Sequence, residues 1–78
     1  MDITAIERME EFARGVLKLF PEEQAHFFDE LENSGLLSAD EVKGLKEYVA
    51  LYHMFADQRY YKMVRECVKE MYLAEITR

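Results

Sequence analysis

Asn33-Ser34-Gly35-Leu36-Leu37-Ser38-Ala39-Asp40-Glu41 holds the end of one helix and the start of the next within nine residues. Gly35 is the natural stop, because glycine lacks the Cβ that penalises a left-handed residue after the last turn. Ser38 and Glu41 then stand in capping-box spacing. The serine oxygen takes the third amide of the new helix, and the glutamate reaches back to the serine amide. A chain punctuated in this way runs as a helix, a short connection and a second helix.

Moving toward the N-terminus, Pro21 marks another start, since a first-turn proline has no amide to leave unbonded. Glu22 and Glu23 follow beside the positive end of that helix. Upstream, a step of about 100° per residue places Ile3, Ile6, Met9, Phe12, Ala13, Val16, Leu17, Leu19 and Phe20 on one half of a cylinder. Helix two has a narrower stripe of Phe27, Phe28 and Leu31.

Toward the C-terminus, Val42, Leu45, Tyr48, Val49, Leu51, Tyr52 and Phe55 form the apolar face of a third helix, opposite Lys43, Lys46, Glu47 and His53. Asp57 is the expected cap of a fourth. Its core seam is expected along Tyr60, Met63, Val64, Cys67, Met71 and Ala74. Because neither glycine nor proline occurs between Lys46 and Arg78, one long kinked rod is the alternative for the last two helices. Alternation at period two never persists, and no solenoid repeat is present. The expectation is an all-α single domain over 1–78, a bundle of four helices at about 3–19, 21–33, 39–56 and 58–76.

A chain of 78 residues buries a modest share of its surface, so its own core is only marginally sufficient. Small scaffolds commonly add a disulfide, a metal or a second copy. An internal disulfide is excluded, because Cys67 is the sole cysteine. Met1-Asp2-Ile3-Thr4 lacks the basic stretch and apolar run of a secretory leader, so a reducing, cytoplasmic setting is expected. No apolar run approaches the roughly 18–20 residues that span a bilayer, and no membrane partner is expected.

The net charge of −6 is unevenly spread. Residues 1–56 carry twelve acids and five bases, whereas 57–78 carry four acids and five bases. Between Phe20 and Val42 there are seven acids and no lysine or arginine. Direct nucleic-acid binding is disfavoured, since counterion release needs clustered bases.

Helix four also carries a second apolar stripe, Tyr61, Val68 and Tyr72, about 80–100° from the first. A bundle helix buries about three positions in seven, and helices one, three and four offer nearer half. This surplus predicts a partner-binding surface built from Tyr48, Leu51, Phe55, Tyr61, Val68 and Tyr72. Tyrosine and methionine suit such a role, and a homodimer is the expected form.

Constellations that would carry chemistry are weak. Glu23-Gln24-Ala25-His26 has the E-x-x-H spacing of di-iron bundles, but no second copy exists and His26 lies opposite the apolar stripe. Glu30 to Glu41 imitates a calcium loop, with Gly35 and Leu37 correctly placed, yet a helix stop and a capping box account for every feature. Cys67 falls on the expected core seam and His53 on a polar face, so no nucleophilic dyad is expected. Gly15, Gly35 and Gly44 are scattered singly and make no phosphate loop.

The reading is a non-enzymatic regulatory or adaptor module acting through protein–protein contact, with no cofactor. The alternatives are an acidic inhibitor that mimics nucleic-acid charge in a basic protein groove, and a calcium-responsive helix–loop–helix.

Overall fold

The three corners between helices are set by hydrogen bonds between residues close in sequence. The computed structural model describes residues 3–76. The leader reading at Met1-Asp2 and the charge of Arg78 lie outside the described residues. Four helices follow in order: α1 (Ile3–Lys18), α2 (Pro21–Ser34), α3 (Ala39–Phe55) and α4 (Gln58–Ile76). Among the described residues there is no strand, and the fold is an all-α bundle.

The α1–α2 corner is built around Pro21. Phe20 is extended (φ −71°, ψ 159°), as a residue before proline must be. Its amide donates to Glu23 Oε1 at 3.0 Å, and the Gln24 side chain donates to the Leu19 carbonyl at 2.9 Å. Helix α1 therefore stops at Lys18, one residue short of the expected end. The α2–α3 corner follows the sequence reading closely. Gly35 is left-handed (φ 74°, ψ 6°). The Ser38 amide donates to Glu41 Oε1 at 3.0 Å, and the Glu41 amide donates to Ser38 Oγ at 3.2 Å.

The α3–α4 break settles the alternative of a single rod. Ala56 takes the left-handed conformation (φ 51°, ψ 33°), and its amide donates to the Tyr52 carbonyl at 2.7 Å. Asp57 Oδ1 accepts the Arg59 amide at 2.9 Å, which caps α4. The chain turns here without a glycine because both helices gain more by packing side by side than an extended rod leaves buried.

The core consists of Met9, Ala13, Val16 and Leu17 from α1, Phe28 and Leu31 from α2, and Leu37 from the connection. Val42, Leu45 and Val49 come from α3, and Val64, Val68 and Met71 from α4. Helix α4 packs on α3 and α1, while α2 leans on α3. The Phe27 ring meets Phe12 at 5.9 Å and Phe28 at 5.3 Å between centroids. Among the described residues no helix is long and apolar enough to cross a membrane.

Candidate interaction face

The six residues expected to contact a partner separate into two groups. Val68 is only 4% exposed and belongs to the core, so it is not available as surface. Tyr61 and Tyr72 are half-buried and turn toward α1. Tyr61 shares a cleft with Arg14 and Leu17, and Tyr72 shares another with Arg8 and Phe12. Tyr48 and Leu51 are half-buried, while Phe55 is 61% exposed.

The expected core seam of α4 is corrected in the same way. Of that seam Val64 and Met71 are buried as expected, and the line they form with Val68 lies about 70° from Tyr60, Met63 and Cys67. The cause is that α4 touches two neighbours, so the bisector between α3 and α1 becomes its inward direction. Tyr60 and Cys67 are left half-buried at the edge, and Met63 is 42% exposed.

This offset creates an outward face that runs along both helices. On α3, Tyr48, Leu51 and Phe55 recur at steps of three and four and share one side. On α4, Tyr60, Met63 and Cys67 do the same. The two lines meet at each end. The Phe55 and Tyr60 rings lie 6.4 Å apart at one end. At the other, Gly44, Tyr48, Met63 and Cys67 line a groove of about 330 Å³. Met54, 71% exposed, follows Leu51 by three residues and flanks the Phe55 end. Half of this face was legible in the sequence. The α4 half is not, because Tyr60, Met63 and Cys67 share their expected seam with Val64 and Met71, which do turn inward.

The groove has an acidic rim of Asp40, Glu41, Glu66 and Glu70. The Ser38 amide beside Glu41 holds that carboxyl below the usual glutamate range, helped by hydrogen bonding to Glu70 and to the Ser38 hydroxyl. Sharing that hydrogen bond with Glu41, and then its charge, pushes Glu70 up. Burial raises the Cys67 thiol, and the nearby charges of Glu70, Glu41 and Glu66 add to it. A thiol so placed is a poor nucleophile, because the thiolate is the reactive form.

The remaining candidates have structural partners. The His26 side chain is 77% exposed and pairs with Glu30 at 3.1 Å, so the E-x-x-H spacing faces solvent. Glu30, Glu32 and Ser34 all lie within α2, which leaves no twelve-residue loop to fold around calcium. Ser34 Oγ donates to the Leu31 carbonyl at 2.7 Å and accepts the Leu36 amide at 3.2 Å. Among the described residues no group of three His, Cys, Asp or Glu side chains is placed to hold a metal ion.

Two side chains have roles that their spacing did not reveal. His53 Nε2 lies 2.6 Å from the carbonyl of Leu17, tying the end of α3 to the end of α1. Arg65 reaches Glu10 of α1 at 3.2 Å. Both pairings join residues far apart in sequence, where local pattern carries no signal.

No protein-family model matches the chain, and no curated protein and no solved structure is significantly similar to it.

Proposed function

We propose that this protein is a non-enzymatic regulatory or adaptor module whose α3/α4 face binds protein, with self-association into a homodimer as its working form. The observation that carries the reading is the exposure of Phe55 and Met63 on the α3/α4 face, with exposed Met54 flanking Phe55. Covering the exposed parts of these three side chains contributes roughly 3–5 kcal/mol, using about 1.5–3 kcal/mol for a complete burial. That is a large fraction of the stability of a small domain. Aromatic residues and methionine are also the types that concentrate at the centres of interfaces. A cytoplasmic setting fits the same reading, with Cys67 the sole cysteine.

The acidic-inhibitor alternative has less to stand on. Glu23 and Glu41 cap helices, Glu30 pairs with His26, and Glu32 lies 3.8 Å from Lys46. Much of the base-free acidic stretch is thus already occupied within the chain.

Sedimentation of the purified chain tests the proposal. The expected result is a mass above that of a monomer, with return to monomer in Phe55→Glu/Met63→Glu at unchanged helical circular dichroism. A strictly monomeric wild type that binds no hydrophobic dye sinks it.

A further inference from the structure

The α3/α4 face has opposite ends. Phe55, Arg59 and Lys62 stand where α3 finishes and α4 begins, and the glutamate-rimmed groove at Gly44 stands at the other end. Gly44 and Phe55 are eleven residues apart on α3, about 16 Å at 1.5 Å per residue. A two-fold axis through the middle, at the level of residues 49–50 of α3, exchanges the two ends.

Resting on the reading that this face joins two copies of the chain, we infer that they pack antiparallel about that axis. The Phe55 ring of each protomer sits over Gly44 of the other, and Arg59 and Lys62 oppose the partner's Glu66 and Glu70.

Two observations favour this arrangement. The first is charge. Lys62 is exposed and has no ion-pair partner among the described residues, and Arg59 is held by Asp57 on one side only. Antiparallel packing brings these bases to the acids, whereas parallel packing sets like charge on like. With a net charge of −6 the copies repel at long range, so the local pairing selects orientation more than affinity.

The second is Gly44 itself. Glycine inside a helix costs stability, and nothing within the chain requires it here. A Cβ at Gly44 meets only the Tyr48 ring, at 4.0 Å, an ordinary contact. Its missing side chain leaves a floor onto which a ring from outside can settle.

The test uses two charge variants of the full chain, Arg59→Glu/Lys62→Glu and Glu66→Lys/Glu70→Lys, with folding followed by circular dichroism. Each variant alone sets like charges together at both symmetric contacts and is expected to weaken dimerisation at least about tenfold. Their equimolar mixture restores both contacts and is expected to sediment as a mixed dimer. Gly44→Leu, a good helix former in open space, is expected to keep or raise the melting temperature while also weakening the dimer about tenfold.

A dimer indifferent to both charge variants, a mixture that stays monomeric, or a Gly44→Leu dimer of full strength overturns this arrangement. If Phe55→Glu still dissociates that dimer, the face reading survives and only the arrangement fails. A monomeric wild type that binds dye through the face, with binding lost in Phe55→Glu/Met63→Glu, overturns the second copy as occupant while keeping the face.

Discussion

Tyr61 shows how a single atom can be out of balance in a well-packed bundle. Its ring packs against the core beside α1, and its hydroxyl is buried without a hydrogen-bond partner among the described residues. A buried hydroxyl left unbonded costs about 1–3 kcal/mol, whereas the ring repays its own burial. Tyr61→Phe is therefore expected to leave stability unchanged or raise it by up to about 1 kcal/mol in urea unfolding. A loss of similar size would mean that the hydroxyl is bonded after all. His53 is the opposite case. It lies close to the Leu17 carbonyl, one of the last-turn oxygens that α1 cannot satisfy internally.

Among the helices, the α3–α4 corner departs furthest from local preference. A left-handed conformation costs an ordinary L-residue roughly 1–2 kcal/mol, and alanine offers no side-chain hydrogen bond in return. Ala56 holds it because Asp57 caps α4 immediately afterwards and Arg59 clamps the Asp57 carboxylate, with contacts of 2.8 and 3.1 Å. Ala56→Gly is expected to stabilise the protein by about 1 kcal/mol, read as a higher urea midpoint at unchanged slope. A fall in the midpoint would contradict strain at this corner. The Asp57 carboxyl is held below the usual aspartate range, first by hydrogen bonds from the Arg59 side chain and then from its amide. Its contribution is thus present above that range and lost as pH falls through the lowered value.

Across the whole molecule, Glu41 and Glu70 pull in opposite directions. Glu41 binds its proton less tightly when folded, so its contribution holds above the usual glutamate range and disappears as pH falls through its lowered value. Glu70 binds its proton more tightly when folded, so its contribution is full below that range and is lost as pH rises through its raised value. At neutral pH the Glu70 charge is therefore a liability of the fold. In the Phe55→Glu background, chosen to suppress the proposed association, Glu70→Gln is expected to raise Tm near pH 7 and to change it little near pH 4, roughly the ordinary glutamate pKa. Equal Tm values at both pH settings would mean that the two carboxyls do not interact.

The order of residues alone set the all-α class and placed the corners at Pro21 and Gly35–Glu41 to within a residue, because those stops and caps are hydrogen-bonded or steric events between near neighbours. It also located Tyr48, Leu51 and Phe55 on one side of α3. On α4 the core positions Val64 and Met71 were legible, whereas tertiary packing decided that Val68 joins them and Met63 turns outward. Two apolar stripes lie side by side on that helix, and the choice between them depends on where α1 and α3 stand together. Packing also decided that the chain breaks at Ala56, and that Glu10 meets Arg65 and Glu41 meets Glu70, since residues distant in sequence become neighbours only when the bundle closes.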